Sequence, residues 1–330
     1  MADHDHIRIF SLSSMRPFGE TIARCLNRDL SRLEERNFED GEFKIRSLEN
    51  VRNCHCFVVE SLFQEPKMSV NDKLMRLLCC IGSLKDAAAA RVTAIVPYTA
   101  FARKDRKTKH RDPLTLAYLA RLFEAVGTDH YATMDIHNLQ AYQNAFRIQT
   151  DHFKAENLFV DYVLNAGLGD RIAVMSPDVG GVKRATSFRD TLEKRLARKV
   201  PLTFMEKKRS RGEVSGDTVI GELEHQDVVI VDDLVSSGTT LVKAAEACKK
   251  KGANRVLAAV THGVFSTAAN DRLGGGALDE LVVTNTVEPF RLQDQLFKDK
   301  IKLLDAAPVF AEAIRHMIEG TPLEEMWEEN

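Results

Sequence analysis

Short, mostly apolar runs recur along the chain, and a polar loop follows most of them. Unbroken apolar runs of this length are typical of strands that are buried on both faces of a sheet. The pattern therefore predicts a series of buried strands, and the alternation of apolar and charged residues from Phe43 predicts one half-exposed strand. The predicted buried strands are residues 7–12, 56–59, 92–96, 131–134, 172–175, 202–205, 228–231 and 256–260.

Between these runs, apolar residues recur at the spacing of a helix. Alternating strands and helices predict an α/β fold with mainly parallel sheets and helices on both faces. A second series of such units begins near residues 151–156, so we expect two similar domains, residues 1–153 and 154–307. A C-terminal helix within 308–330 is expected to join the first domain. Predicted helices cover about 17–29, 71–90 and 113–126, and others begin near residue 155, after Gly181 and near Leu241.

Composition and charge narrow the class of protein. Apolar residues make up 44% of the 330 residues, and the net charge is −2, so neither nucleic acid nor a membrane surface is expected as a partner. No apolar run approaches the roughly 18 residues of a transmembrane helix, and the N-terminus lacks the pattern of a secretory signal. The six cysteines form no C-x-x-C pair, which favours buried free thiols and a cytoplasmic location.

One stretch, residues 228–241, combines a strand, a polar loop and a helix in the sequence VVIVDDLVSSGTTL. Asp232 and Asp233 stand at the carboxyl end of the strand, where they are placed to hold ribose hydroxyls or Mg²⁺. The hydroxyl-rich loop 236–240 precedes a helix, and backbone N–H groups at a helix N-terminus favour a phosphate. A plain strand-to-helix turn with a solvated acidic pair is the alternative.

Two further stretches follow strands in the first half of the chain. Residues 96–107 carry four basic side chains around one acid, a composition that suits a polyphosphate as well as a solvated basic loop. Residues 134–137 read MDIH. In extended geometry Asp135 and His137 point to the same side, so one of them is a candidate ligand of a divalent ion and the other its orienting neighbour.

Two more stretches follow strands in the second half. Residues 176–184 read SPDVGGVKR, and their glycines let the backbone approach an anion closely, although the spacing is not that of a Walker loop. Residues 206–214 form a basic segment that is too polar to pack, which predicts either a mobile lid carrying cations to a transition state or a solvated loop.

The order of these stretches resembles that of the family of phosphoribosyl pyrophosphate (PRPP) synthetases from about Ile7 to the C-terminal helix. Type I phosphoribosyltransferases share only the last of the motifs. The motifs are, in order, FEDGE, FARKDRK, MDIH, SPDVGGVKRA, KKR with GEV, and VVIVDDLVSSGTTL.

The resemblance implies two type I phosphoribosyltransferase-like domains and dimers that assemble into hexamers. It also implies the reaction: the β,γ-diphosphoryl group of ATP moves to O1 of ribose 5-phosphate with the help of Mg²⁺, and AMP is released. Phe38, Asp40 and Glu42 are expected to reach the ATP base of a neighbouring subunit.

The resemblance also assigns roles to individual residues. The residues that the resemblance assigns to ATP binding are Phe38, Asp40, Glu42, Arg103, Lys104 and His137, and those it assigns to the metal are His137 and Asp178. The pyrophosphate loop would consist of Asp178, Val179, Gly180 and Gly181, and the residues that would bind ribose 5-phosphate are Asp178, Asp232, Asp233, Ser236, Ser237, Gly238, Thr239 and Thr240. The catalytic residues would be Lys207 and Arg209.

The chain departs from the family pattern in several places. Lys104 stands where the family usually has glutamine, and Ser236 stands where it usually has aspartate. Lys208 is an alternative to either of the two catalytic cations, and residues 138–146 differ from the run that lies near the family's allosteric site. Two competing hypotheses are a non-catalytic regulatory homologue and a phosphoribosyltransferase that consumes PRPP.

Overall fold

The computed structural model describes residues 6–210 and 213–326. The strands are β1 (Ile7–Ser11), β2 (Leu33–Asn37), β3 (Phe43–Ser47), β4 (His55–Val59), β5 (Arg91–Val96), β6 (His130–Met134), β7 (Gln149–Phe153), β8 (Ile172–Ser176), β9 (Leu202–Ser210), β10 (Glu213–Ile220), β11 (Asp227–Val235), β12 (Val256–Gly263), β13 (Glu280–Thr284) and β14 (Ile301–Leu304). The α-helices are α1 (Arg16–Cys25), α2 (Val70–Asp86), α3 (Thr115–Ala125), α4 (Leu139–Ala145), α5 (Glu156–Asn165), α6 (Val182–Leu196), α7 (Thr239–Lys250), α8 (Ala269–Leu273), α9 (Asp294–Lys300) and α10 (Ala307–Glu319). Short 3-10 helices cover Ser13–Met15 and Leu323–Met326.

The chain divides into two compact units. Unit 1 comprises Met1–Phe153 and Ala306–Asn330, and unit 2 comprises Lys154–Asp305. The main sheet of unit 1 has the strand order β1-β4-β5-β6-β7, and all its neighbours are parallel. β2 and β3 form a separate antiparallel pair. Because neighbouring parallel strands run in the same direction, the loops after β4, β5 and β6 leave the same edge of the sheet.

Helices bury the faces of the unit 1 sheet. α2 begins with a capping box, in which Ser69 accepts from the Asp72 N–H and the Asp72 carboxylate accepts from the Ser69 N–H, so orphan donors of the first turn are satisfied. α10 returns to this unit at the end of the chain. Its Phe310 ring lies 5.7 Å from that of Phe18 and 5.3 Å from that of Phe153.

Unit 2 has a seven-stranded sheet of order β10-β9-β8-β11-β12-β13-β14. The neighbours are parallel except for β9 and β10, which are antiparallel. β8 lies beside β11, with Met175 opposite Ile230. The loops after these two strands therefore leave the same edge of the sheet within unit 2.

The prediction of an α/β fold with mainly parallel sheets is confirmed. The prediction that residues 206–214 form a loop is wrong, because β9 extends to Ser210 and β10 starts at Glu213. The antiparallel partner β10 supplies backbone hydrogen bonds to this polar segment, with Arg209 opposite Val214. Within residues 6–210 and 213–326, no helix combines the length and apolar character needed to cross a membrane.

Candidate active site

The acidic pair Asp232 and Asp233 lies within β11 rather than after it, because the strand continues to Val235. The Asp233 N–H donates to Asp232 Oδ1 over 2.9 Å, and Asp233 is only 4% exposed. A buried carboxylate needs a compensating charge or hydrogen bonds. Helix α6, which follows β8, supplies the compensating charge.

Arg184, near the start of α6, carries this charge. Its Nη1 lies 3.3 Å from Asp233 Oδ1 and 3.8 Å from Asp232 Oδ1. Burial raises the pKa of the Asp232 carboxyl, the like charge of Asp233 raises it further, and Arg184 opposes both effects. The pair is therefore a set of oxygen acceptors whose charge depends on Arg184.

The hydroxyl-rich loop 236–240 joins β11 to α7. Gly238 precedes the helix with φ +77° and ψ −5°, a left-handed conformation that glycine adopts at no steric cost. Ser237 Oγ and Thr239 Oγ1 lie 2.9 Å apart, and the Arg272 guanidinium from α8 donates to Thr239 Oγ1. A helix N-terminus, hydroxyls and a guanidinium thus meet at one loop, a combination that suits a phosphate.

The glycine-rich turn after β8 has a fixed shape. Asp178 Oδ1 accepts from the Gly181 N–H over 3.0 Å, and Ser176 Oγ donates to the Asp178 carbonyl over 2.6 Å. A Cβ at Gly181 would lie 2.7 Å from Ser176 Oγ, so the turn has no room for a side chain there. Val179 and Gly180 stand at the exposed tip of the turn.

Unit 2 contains three of the predicted stretches, residues 176–184, 206–214 and 228–241. The first and the last lie close together because β8 and β11 are parallel neighbours. β9 lies on the other side of β8, with Phe204 opposite Ser176. The catalytic candidates Lys207 and Arg209 belong to the extension of β9 beyond this pairing. Their side chains lie outside the part of the chain that the structure describes, as does that of Lys208.

Unit 1 brings the other two strand-end stretches together. β5 and β6 pair with Val96 opposite Thr133, and their loops are joined by a hydrogen bond of 2.6 Å from Asn138 Nδ2 to Asp105 Oδ2. Arg103 and His137 are both exposed on these loops. They are placed to receive a polar ligand at this edge of the sheet.

The extended geometry expected for residues 134–137 is wrong. β6 ends at Met134, and Asp135 has φ +38°, in the left-handed region. The Ile136 N–H donates to His152 Nε2 over 3.1 Å. The argument that placed Asp135 and His137 on one side therefore does not hold.

Lys104 has a partner within its own loop. Its Nζ forms an ion pair with Asp112 and donates to Thr108 Oγ1 over 3.1 Å. The motifs do not point to Asp112; the signal for it in the sequence is an acidic residue eight positions after Lys104 in a basic loop. Arg184 and Arg272 were also missed as site residues, because only the fold brings them to Asp233 and Thr239.

The FEDGE stretch forms the turn between β2 and β3. The Phe38 N–H donates to the Glu42 carbonyl over 2.9 Å, and the Glu42 N–H donates to Asp40 Oδ1 over 3.0 Å. The Phe38 ring is 40% exposed, with the Arg36 guanidinium 5.2 Å from its centre. This turn presents an aromatic face and three carboxylates, those of Glu39, Asp40 and Glu42, to the outside of unit 1.

Asp178 and His137 are the predicted metal ligands, and the chemistry of their side chains can be compared with what Mg²⁺ requires. Asp178 offers a partly exposed carboxylate, the ligand type that Mg²⁺ prefers, while the His137 imidazole is better suited to softer metals. Among the described residues there is no group of three or more histidine, cysteine, aspartate or glutamate side chains that could hold a metal ion. The residues fit Mg²⁺ chiefly through Asp178.

Two family models match the chain. The model of the N-terminal domain of ribose phosphate pyrophosphokinase matches residues 7–127. The model of the phosphoribosyl synthetase-associated domain matches residues 197–327.

Relatives cover the whole chain. A ribose-phosphate pyrophosphokinase from Clostridium perfringens is 36% identical over 333 residues, covering 100% of both chains. Another from Wolinella succinogenes is 39% identical over 311 residues, covering 94% of this chain and 95% of the relative. The crystal structure of phosphoribosylpyrophosphate synthetase from Mycobacterium smegmatis superposes with a TM-score of 0.86 at 30% identity, covering 96% of this chain and 99% of the other.

Proposed function

Because the chain belongs to the ribose-phosphate pyrophosphokinase family, we propose that it transfers the β,γ-diphosphoryl group of ATP to O1 of ribose 5-phosphate. The O1 hydroxyl attacks the β-phosphorus and loses its proton, while the bond from that phosphorus to the bridging oxygen of AMP breaks. The products are PRPP and AMP. Catalysis of this kind rests on positioning and on neutralising phosphate charge.

The observation that carries the proposal is the meeting of the acidic pair, the hydroxyl-rich loop and the Asp178 turn at one edge of the unit 2 sheet. Asp232 and Asp233 accept from the sugar hydroxyls, since a buried pair of carboxylates discriminates strongly for groups that donate to it. Ser236–Thr240 hold the 5-phosphate at the α7 N-terminus, assisted by Arg272. Asp178–Gly181 line the path of the transferred diphosphate.

Unit 1 supplies groups for the nucleotide. Arg103 and His137 contact ATP, and the exposed Phe38 ring stacks on the base held by a neighbouring copy of the chain, with Asp40 and Glu42 accepting from it. Lys207 and Arg209 stabilise the charge that develops on the transferring group.

Mg²⁺ is proposed as the cofactor, with Asp178 as its ligand from unit 2; the family resemblance assigns His137 of unit 1 to the metal as well. When bound, it would supply positive charge that neutralises the phosphates of ATP. Because Mg²⁺ keeps several waters and takes substrate phosphates as ligands, one carboxylate is sufficient for its contact with the protein.

A product assay tests the reaction. The protein is incubated with Mg²⁺, ribose 5-phosphate and ATP labelled in its terminal phosphate, and nucleotides are separated by chromatography. We expect AMP and labelled PRPP in equal amounts, and their loss in the Asp232→Asn, Asp233→Asn double variant. ADP as the product would indicate a simple phosphoryl transfer, and no turnover by folded protein would favour a regulatory homologue.

The proposal extends to assembly and location. Binding of the base by a neighbouring copy requires dimers, and hexamers are the expected assembly. Light scattering coupled to size-exclusion chromatography tests this, and a monomer at all concentrations would contradict it. A cytoplasmic location is proposed from the role in nucleotide biosynthesis.

A further inference from the structure

The loop between β5 and α3 concentrates positive charge. Within the described part of the chain, five of its basic side chains are exposed and make no ion pair, and Lys104 is the exception. The five are Arg103, Arg106, Lys107, Lys109 and Arg111. Like charges this close repel one another and favour an open, extended loop, so something must hold the loop in shape.

Asp112 provides that restraint. Its Oδ2 accepts from the Thr108 N–H (2.9 Å), the Thr108 hydroxyl (2.8 Å) and the Lys109 N–H (2.9 Å), and also from Lys104 Nζ. The Lys104 contact, followed by that of the Thr108 hydroxyl, holds the pKa of the Asp112 carboxyl below its usual range. One carboxylate thus closes the loop over nine residues, from 104 to 112.

The backbone at both ends of the loop is constrained. Phe101 has φ +63° and Arg111 has φ +68°, values that non-glycine residues keep only where the surroundings fix them. Thr115 Oγ1 donates to the Phe101 carbonyl over 2.9 Å, which holds the first end to the start of α3. Asp112 follows Arg111 directly and holds the other.

The loop is also joined to the one that carries His137. Asp105 accepts from Asn138 Nδ2, while Asn138 Oδ1 caps α4 by accepting from the Ala141 N–H over 3.1 Å. The shape of the basic loop and the position of the loop after β6 are therefore coupled within unit 1.

We propose that Lys104 and Asp112 form an internal clamp that holds the basic loop in its nucleotide-binding shape. In this role Asp112 is a positioning residue for ATP, and Lys104 is part of the clamp rather than an ATP ligand. The inference rests on the proposed function, since it takes ATP as the ligand of Arg103. The clamp neutralises one cation and leaves the other five for the polyphosphate.

ATP binding tests the clamp without turnover. Titration calorimetry with Mg²⁺ and ATP, in the absence of sugar, is applied to Asp112→Ala, Lys104→Gln and the double variant. We expect Asp112→Ala to weaken ATP binding about tenfold, because the loop must then be ordered on binding. In the Asp112→Ala background, Lys104→Gln should cause no further loss. Steady-state KM for ribose 5-phosphate should stay unchanged.

The matched control is Asp86→Ala, which removes an exposed carboxylate of unit 1 at the end of α2. It should leave ATP affinity as in the wild type. Far-UV circular dichroism checks folding, and Asp112→Asn is the replacement if the alanine variant does not fold. A loss of ATP affinity from Lys104→Gln that is equally large with and without Asp112 would overturn the proposal, because Lys104 would then contact ATP itself.

Limited proteolysis provides a readout that does not depend on the reaction. Trypsin cleaves after lysine and arginine, so an opened basic loop is a preferred site. Without nucleotide, Asp112→Ala should be cut between residues 103 and 111 several times faster than wild type and Asp86→Ala. Equal cutting rates overturn the clamp. If the wild type shows the protected loop but neither binds ATP nor forms AMP, the proposed function fails while the clamp stands.

Discussion

The charge of the acidic pair Asp232 and Asp233 depends on a single basic residue, Arg184. Asp232 and Asp233 stand together in a buried part of β11, and Arg184 brings a positive charge within 4 Å of both carboxylates. A carboxyl group acts only as a hydrogen-bond acceptor for the sugar hydroxyls when it is ionised, because the protonated form also donates. The usefulness of the pair for binding ribose therefore depends on pH and on Arg184.

Replacing Arg184 by Gln should move this dependence to higher pH. The guanidinium lowers the pKa of Asp232 against burial and the charge of Asp233, so its removal raises that pKa further. The pH above which ribose 5-phosphate binds well should rise accordingly. KM for ribose 5-phosphate measured from pH 6 to 9.5 checks this. Arg189→Gln, on the same helix, is the control, and superimposable profiles would contradict the role of Arg184.

Gly238 is a residue where a single methyl group decides the shape of the loop. An added Cβ would lie 2.8 Å from Leu273 Cδ2, and φ +77° is unfavourable for alanine by about 1–2 kcal/mol. Gly238→Ala should therefore lower stability by about that amount and weaken ribose 5-phosphate binding more than ATP binding. Urea unfolding and substrate titrations measure the two effects. Gly276→Ala is the matched control, since a Cβ there meets nothing within 4 Å, and equal behaviour of the two variants would contradict the argument.

The sequence points to candidate residues within contiguous motifs, but it does not point to their partners in the fold. Asp178, Asp232 and the 236–240 loop follow directly from strand ends and glycine-rich turns. Arg184 and Arg272 come from helices whose contacts depend on packing, and Asp112 lies eight residues from Lys104. The geometry of Asp135 was mispredicted, because an aspartate tolerates a left-handed backbone that ends the strand.

At the scale of elements, a strand can be predicted from the sequence when it contains an unbroken apolar run. Strands such as β6 and β8 are buried along their whole length and were found from their apolar runs. β7 has the polar sequence QTDHF and lies at the edge of its sheet, so it has no such run. β10 and the outer half of β9 are stabilised by antiparallel pairing, which the local pattern of 206–214 does not encode.

The catalytic candidates Lys207 and Arg209 belong to β9, which pairs with β10, and their proposed role leads to a prediction about the reaction rate. Replacing both Lys207 and Arg209 by Ala should lower kcat at least about a hundredfold while changing the KM values little, because groups that act in the transition state affect rate more than binding. Steady-state kinetics with both substrates measures the split. Lys250→Ala, an exposed lysine at the end of α7, is the control. A parallel loss of affinity for both substrates would instead indicate a ground-state binding role.

At the scale of the whole molecule, the alternation of strands and helices sufficed to predict the α/β class, since parallel sheets require crossover helices. The family followed from the order of motifs over the full length rather than from any one of them. The local pattern carries no information on charge buried within a unit. The clearest example is a cluster in unit 1 around Lys73, whose side chain is fully buried.

In this cluster a lysine faces two glutamates of unequal burial. Lys73 Nζ lies 2.5 Å from Glu65 Oε1 and 3.7 Å from Glu60 Oε1, and 3.4 Å from the centre of the Phe63 ring. Ser14 Oγ lies 2.6 Å from both oxygens of Glu60. Burial raises the pKa of Glu60 to about 7, although Lys73 and Ser14 favour the ionised form.

The raised pKa of Glu60 makes a definite prediction about stability. Between the ordinary glutamate pKa of 4.5 and the raised pKa of about 7, the folded chain binds a proton at Glu60 that the unfolded chain has lost. This contribution to stability therefore falls as the pH rises through that window and is constant above it. Each pKa unit corresponds to about 1.4 kcal/mol, which gives a total of a few kcal/mol. Glu60→Gln should remove this fall.

The half-buried His55 titrates in an overlapping pH window, so the stability of the variant must be compared with that of the wild type at each pH. Burial, with a smaller effect from Arg91, lowers the pKa of His55 to about 3. Its contribution to stability has the opposite sign to that of Glu60, because it is lost as the pH falls below the pKa of the unfolded chain.

Urea unfolding at pH 5, 6, 7 and 8 gives the difference in unfolding free energy between wild type and Glu60→Gln, in which the His55 contribution cancels. That difference should change steadily between pH 5 and 7 and then level off, whereas Glu246→Gln, on an exposed part of α7, should show no such change. A constant difference for Glu60→Gln would mean that Lys73 keeps Glu60 ionised throughout, so that the cluster acts as a permanent ion pair.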